Sequence, residues 1–312
     1  MVLNIIFNFF NMIKKIFVPV FVLFFAVFFA QTEKYKASDY SLLNNVKSYN
    51  TFVYKYDVEL GKYFVIEKHI RIFEKGLLKY DYVLDNYLDR FTQIKRYTYN
   101  AQNQLISIET ADDYEKPQYY PYEDFFYENG KLSKISEVLG NKRIFTDFSY
   151  DKKGRILKEK RYQDDKLVLS TVDYHYTSDK NFTTKKVVFI NDNSRKMVDA
   201  VYQNNLKISE EIDDPAAKIS YTYQYDKNGN EVMKSDMTTS FDSHYVYGKT
   251  GAILKSKKTE YDDLEFDIVN YFEFSEITYE DGSTEGSRVF DKEFAKSFNM
   301  SVLSYDFIDD LK

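Results

Sequence analysis

The 312-residue chain has no cysteine and no tryptophan, and only three histidines, four prolines and ten glycines. Without cysteine there can be no disulfide, no thiolate nucleophile, no lipid-bearing N-terminal Cys and no sulfur-ligated metal. The scarcity of glycine and proline excludes a collagen-like or low-complexity chain. No charge sign dominates either: 43 basic and 49 acidic residues, interspersed along the sequence, give a net charge of −6. Neither nucleic acid nor an anionic membrane surface is therefore an expected partner. What the chain has in excess is rings, 30 Tyr and 27 Phe. Tyrosine suits a pleated surface because it packs one flat face and keeps a polar tip.

One long apolar run occurs, at the N-terminus. The first 30 residues hold no acidic residue and two lysines, Lys14 and Lys15, followed by IFVPVFVLFFAVFFA over Ile16–Ala30. A short basic region before an apolar stretch of this length is the layout of a secretory signal peptide, and the stretch is short for a membrane span of about 20 residues. Met12 is the expected true start, and cleavage is expected after Ala30, although Phe28 occupies a position where a small side chain is usual. The mature chain from Gln31 would carry 41 basic and 49 acidic residues, a net charge of −8. The expected location is secreted or periplasmic.

Beyond the leader the sequence repeats. An aromatic residue precedes a turn at Phe73, Tyr99, Tyr127, Tyr150, Tyr176, Tyr202, Tyr225, Tyr247 and Tyr279, with gaps of 22 to 32 residues. A period of this length signals a stacked-repeat architecture. Turn chemistry follows most markers. Asp151 to Gly154 and Asp226 to Gly229 suit a type I turn with glycine at a positive φ, whereas Asn129-Gly130 and Asp281-Gly282 suit two-residue type I′ hairpins. Gly76 and Gly251 mark variants. The units at 100–104, 177–181 and 203–205 lack glycine, and asparagine can take its place.

Each repeat of about 26 residues then reads as a β-hairpin of two strands of roughly nine residues. The expected fold is all-β, a long twisted antiparallel meander of about 16–20 strands, open or partly wrapped. The organisation reads as residues 1–30 signal peptide, 31–50 linker with a helical turn near Ser41 to Val46, 51–290 the β-hairpin repeat domain, and 291–312 a short helix and capping tail. The stretch from Thr51 to Phe73 reads as a degenerate hairpin ahead of the markers. Period two puts both rings of each Tyr-x-Tyr pair on one face. The intervening Thr98, Ser149, His175, Gln224, Val246 and Thr278 fall on the other. In the strand from Ile156, Lys158 and Lys160 lie on one face and Glu159 and Arg161 on the other, so both faces read as solvated away from the turn.

The string aromatic-x-Tyr-Asp-x-x-Gly-x-Ile/Leu, best seen in FSYDKKGRI (148–156) and YQYDKNGNEV (223–232), resembles the YD repeats of Rhs-type proteins and, more loosely, MORN-like hairpin repeats. The resemblance covers roughly Ile70 to Ser287. It implies a coiled antiparallel sheet serving as shell, scaffold or adhesive surface. About 26 residues follow the last repeat, too few for an enclosed toxin domain, so that activity is not implied.

No constellation of catalytic residues emerges. His175 and His244 occupy repeat positions held elsewhere by Thr, Ser and Gln, and read as surface residues; His69 has no nucleophile or acid motif beside it. Adjacent carboxylates at Asp112-Asp113, Asp164-Asp165, Glu210-Glu211, Asp213-Asp214 and Asp262-Asp263 do not predict the spaced pair of a glycosidase. The DKNGNE run at Asp226 puts its glycine fourth, not sixth as an EF-hand requires, and Asn191-Asp192-Asn193 is a second oxygen-rich loop. No cofactor, metal or catalytic residue is assigned. An outer-membrane barrel conflicts with the lysines on both faces of the strands from Ile156 and Ile253. The expectation is an exported non-enzymatic scaffold or binding surface without stable membrane insertion, whose partner is an unknown protein or a polysaccharide recognised by its tyrosines. The alternatives are a hydrolase of envelope polymers and, by family analogy, a toxin-neutralising partner.

Overall fold

In the computed structural model, the described residues are 34–298 except 58–60, 165–166, 192–193, 216, 237–238 and 263–266. The leader, the chain beyond Phe298, Asp165, Asp263 and most of the Asn191-Asp192-Asn193 loop therefore lie outside the described residues. The chain runs as β1 (Val46–Asp57), β2 (Lys62–Glu74), β3 (Leu77–Asp85), β4 (Arg90–Tyr99), β5 (Leu105–Thr110), β6 (Tyr120–Glu128), β7 (Lys131–Leu139), β8 (Lys142–Tyr150), β9 (Ile156–Gln163), β10 (Leu167–Tyr176), β11 (Phe182–Asn191), β12 (Ser194–Gln203), β13 (Leu206–Asp214), β14 (Ala217–Tyr225), β15 (Glu231–Ser235), β16 (Ser240–Tyr247), β17 (Ile253–Asp262), β18 (Asp267–Tyr279) and β19 (Thr284–Gly286). A 3-10 turn at Ala37–Tyr40 precedes β1, and one helix, α1 (Lys292–Lys296), follows β19. β1 starts five residues before the degenerate hairpin expected from the sequence, and the helical turn lies before Ser41 instead of after it.

Every strand pairs antiparallel with its sequence neighbour, as a hairpin meander requires. The sheet is not open. β1 also pairs with β18, from Val46 opposite Tyr279 to Lys55 opposite Tyr271, closing an 18-strand barrel, with β19 adding to the free end of β18. Twist alone bends a long sheet toward closure. A second device adds curvature at the repeat itself. Immediately before Phe73, Tyr99, Tyr127, Tyr150, Tyr202, Tyr225 and Tyr247 the register shifts, with one extra residue on the following strand. A bulge of this kind bends its strand and increases local twist. Repeated near one end of successive hairpins, it curls the sheet in one sense, and closure then satisfies both edge strands, which would otherwise invite pairing with another chain.

The turns divide into two kinds. At Asn129-Gly130 both central residues have positive φ (51° and 77°), as type I′ demands. At Asp281-Gly282 only Gly282 does (82°), and its amide bonds back to the Tyr279 carbonyl while Tyr279 closes on Ser283. This is the arrangement at Asp151 to Gly154, so the type I′ expectation for Asp281 is corrected. In the glycine-free turn at 100–104, Asn103 supplies the left-handed residue at φ 58°.

Which face is the lumen follows from desolvation. Tyr221, Tyr223 and Tyr225 alternate with exposed Ser220, Thr222 and Gln224 along β14. Burial on the tyrosine face lowers the Lys186 pKa to about 8 and raises those of Glu159 and Tyr202. In a closed sheet the better-buried face is the concave one, where side chains crowd together, so the tyrosines face inward.

Two ring-rich stretches of the outer wall are covered by the chain. Phe52, Tyr54, Tyr63, Phe272 and Phe274, on β1, β2 and β18, pack under Phe290, Phe294, Ala295 and Phe298. Ile70, Tyr80, Tyr82, Phe91 and Ile94, on β2 to β4, pack against Ala111 and Tyr119, and Tyr114 stacks on Phe91 at 4.0 Å.

Candidate functional site

The repeat markers are structural, and their phenols show how. Tyr99 donates to the Leu78 carbonyl (2.7 Å), Tyr127 to Leu105 (2.9 Å), Tyr150 to Leu132 (2.6 Å) and Tyr225 to Lys207 (2.8 Å). Each acceptor is the residue paired with the previous marker and lies just before the extra residue of its bulge. Bulges disrupt the ladder, and the next repeat's tyrosine takes the carbonyl at that point. In the following repeat Tyr245 does this to Glu231 (2.8 Å), and Tyr247 bonds Asp226 instead. The phenol of Tyr225 is pushed up to about 12, first by burial and then by Glu231.

The turn acids are equally committed. Asp151 accepts the amides of Lys153 and Arg155 (both 2.9 Å), and Asp226 those of Asn228 and Asn230 (2.8 and 3.0 Å). The DKNGNE run is thus a side-chain-closed turn repeated at Asp151. Among the described residues no group of three His or acidic side chains could hold a metal.

Below the tyrosine ends, the lumen carries charged side chains from successive strands. Glu159 accepts from Tyr174 at 2.5 Å; Glu210 takes both Lys207 and Tyr223 at 2.9 Å; Arg161 meets Glu137 at 2.6 Å. On β17 and β18, Glu273 accepts from Lys258 (2.6 Å) and Ser256 (2.7 Å). Burial opposes its charge, but Lys258 and these hydrogen bonds hold the Glu273 carboxyl below the ordinary range. At the other side of the seam His69 pairs with Glu67, and Arg71 lies over the rings of Tyr40 and Tyr49. Of these, Glu159 and Arg161 lie on a face that reads as solvated in the sequence. Charges that read as two wet faces are in fact one wet face and one lumenal face where acid, base and phenol neutralise one another.

The expected surface histidines differ. His175 is exposed on the outer wall. His244 is outside too, 3.0 Å from Asp242, but its ring lies against Phe298 at 4.9 Å. Of the acidic pairs, Glu210 points inward while Glu211 pairs outward with Lys218, so adjacency separates those two carboxylates across the wall. Asp112 accepts from Tyr120 at 2.5 Å, and Asp113 caps the amide of Glu115 at 2.8 Å.

The lumenal rings spend their faces on each other. Phe182 and Tyr202 stack at 4.4 Å with planes 8° apart, and Tyr174 and Tyr176 are nearly parallel at 6.4 Å. Ring edges and phenol oxygens are therefore what the lumen offers. The outer wall of β9 to β14 shows Lys158, Lys160, Lys185, Asp199, Glu211 and Lys218, all exposed.

No family model matches the chain, and no curated protein matches it in sequence. Among solved structures it is similar to a porin-like protein from Bacteroides uniformis, at 10% identity over 75% of this chain and 97% of that one, with a TM-score of 0.37. It is also similar to TcdB2-TccC3 without its hypervariable C-terminal region, at 10% identity and a TM-score of 0.33, covering 70% of this chain and 15% of that one. A third similarity is to the Photorhabdus luminescens Tc holotoxin pore, at 12% identity and 0.32, covering 64% and 14%. The chain spans about a seventh of the length of these two toxin chains. The barrel assignment rests on the strand pairings.

Proposed function

We propose that the chain is an exported, non-enzymatic barrel that serves as a scaffold or binding surface at the bacterial envelope or outside the cell, without inserting into the membrane. The observation that carries this reading is the polarity of the wall. A lipid-facing barrel needs an apolar outer band, whereas here charged residues alternate with the inward tyrosines. The lumenal carboxylates support binding over acid–base chemistry, since Glu159, Glu210 and Glu273 are each held by a phenol, hydroxyl or ammonium. A polysaccharide ligand would be met by phenol oxygens and ring edges instead of ring faces.

Capture of partners from envelope extracts and culture fluid by the processed protein tests this. Glu231→Gln, a half-buried lumenal change that leaves the backbone contact from Tyr245 in place, serves as comparison. A ligand that is retained, eluted unaltered and weakened by Glu231→Gln supports the reading. Turnover of the captured polymer, lost on substitution of one acidic residue in a folded variant, would replace it with the hydrolase. Detergent-resistant fractionation with the outer membrane would overturn the soluble barrel.

A further inference from the structure

Closure pairs the two end strands of the sheet, but the rim of the barrel is stepped. At the end away from the marker turns, three strands run five residues past the end of a neighbour: β2 past β3 over 62–66, β4 past β5 over 90–94, and β14 past β15 over 217–221. The chain closes the first two steps with amides of its own. Asn86 donates to the carbonyls of Ile66 and Val65, both at 2.9 Å, through its main-chain and side-chain nitrogens. Ala111 donates to that of Ile94 at 3.1 Å. Among the described residues none pairs with the third step on its open side, and Ala217, Lys218 and Ser220 along it are exposed.

The direction of the open groups follows from the neighbouring turn. The Asp236 amide donates to the Thr239 carbonyl at 2.9 Å, so these two residues form a bonded pair. Bonded and non-bonded pairs alternate along an antiparallel ladder. Ser235 therefore turns its N–H and C=O away from β16 and onto its register partner Thr222 on β14. Further along the same edge, Ser220 and Lys218 present theirs to the open side. Their side chains stand on the outer wall, while Ile219 and Tyr221 lie on the lumenal face. Such a row of open main-chain groups is a template for another strand.

We propose that Ala217 to Tyr221 is a strand-addition site for an extended segment of a partner protein. Main-chain pairing supplies attachment in this mode, and alternate side chains supply selection. The rows that end at the edge say which side chains. Inward, Val198, Ile212 and Ile219 are successive register partners, and an apolar residue continues their row. Outward, the wall beside the edge carries Asp199, Glu211 and Asp213 against Lys185 and Lys218. The excess of acid favours a basic residue opposite Ser220. The site adds to the binding-surface reading; the lumenal ligand and its Glu231→Gln test do not depend on it.

The probe is a labelled, terminally blocked peptide of alternating valine and lysine, titrated into the natively processed protein while hydrogen exchange of the 217–221 amides is followed. The expected result is saturable binding that slows exchange at Lys218 and Ser220. N-methylation of the peptide's pairing amides should weaken it about tenfold. Ser220→Pro should do the same, since it removes one open donor and keeps the bonds to β13. Thermal melts check that this variant remains folded; if it does not, the N-methylated peptide on the wild type carries the comparison. Absence of saturable binding overturns the proposal. So does binding that Ser220→Pro or N-methylation leaves unchanged, which would be charge attraction alone. Slow exchange at Lys218 and Ser220 in dilute protein without peptide overturns it too, because the chain or a second copy would then already cover the edge.

Discussion

At the scale of the residue, tyrosine does two jobs that its apolar face and polar tip divide between them. The ring faces stack within the wall, and the phenol reaches the carbonyl that a bulge has disturbed one repeat away. Removing only the oxygen isolates the second job. Tyr150→Phe is expected to lose about 1 kcal/mol of stability, read as a lower denaturant midpoint at unchanged slope, because the Leu132 carbonyl loses its 2.6 Å donor. An unaltered midpoint would show that water replaces the phenol at no cost. Lys186 has a different dependence. Burial lowers its folded pKa to about 8, against roughly 10.4 in the unfolded chain. Between these values the unfolded state holds a proton that the folded state has released, so stability rises with pH across that window. Below it both states are charged, and this residue adds no slope. Lys186→Met should flatten the rise between about pH 8 and 10, measured as denaturation midpoints in a pH series; an equal slope in both proteins would assign the rise to other groups.

At the scale of the element, the hairpin period, the number of strands and the inward rings were legible because they follow from spacing and from period two. Three features were not. The bulge before seven of the markers inserts a residue that period two cannot register, and Leu157 shows it: period two puts it on the face of Glu159, whereas it is the extra residue of its bulge and is exposed on the wall. Glu159 and Arg161 read as solvated because sequence shows charge but not which face becomes concave. β1 began early because Val46 to Asn50 pair with β18, more than 200 residues away. The cover over the seam is an element with a definite energetic prediction. Asp291 caps α1 by accepting from Glu293 and Phe294, and it pairs with Lys255. The Lys255 hydrogen bond, followed by the Phe294 amide, keeps its carboxyl below the usual range. Its folded pKa is thus depressed, so the stabilisation is present above about pH 4, the unfolded value, and is lost as pH falls through the lowered one. Asp291→Ala is expected to loosen the segment by about 1 kcal/mol and to remove that acid dependence, followed by limited proteolysis beyond Gly286. Stopping the chain after Gly286 should be harsher. It bares Phe52, Tyr54, Tyr63, Phe272 and Phe274 together, and a patch of that kind is expected to bind hydrophobic dye and to aggregate. A truncated chain that stays monodisperse and dye-negative would mean that the rings repack without their cover.

At the scale of the whole molecule, the property that most separates this barrel from an open meander is a single pairing between its first and last full-length strands. Everything else in the sheet is local, hairpin on hairpin, and would exist in an unclosed sheet as well. The seam can be interrogated by itself because the chain has no cysteine. Thr51 and Ser275 are direct register partners on the lumenal face, and their hydroxyl oxygens lie 3.2 Å apart, while cross-strand partners have Cα atoms about 4.5 to 5.5 Å apart, within disulfide range. The pair Thr51→Cys with Ser275→Cys is expected to oxidise in the folded protein to an intramolecular bridge. Because it closes a loop of more than 200 residues, the chain-entropy account predicts a gain of about 5 kcal/mol over the reduced form, less the hydrogen bond between the two hydroxyls. In a sheet that merely curls, these positions would sit at opposite edges and the thiols would stay reactive to alkylation or crosslink between molecules. Non-reducing electrophoresis distinguishes the outcomes, and the concentration dependence of any dimer separates a failed seam from slow oxidation. Closure also explains why the charges lie where they do. An open sheet could leave Glu159, Lys186 and Glu273 in water, whereas a closed one must pair them, and the phenols and ammonium groups beside them are what make a lumen with so many charges compatible with a folded wall.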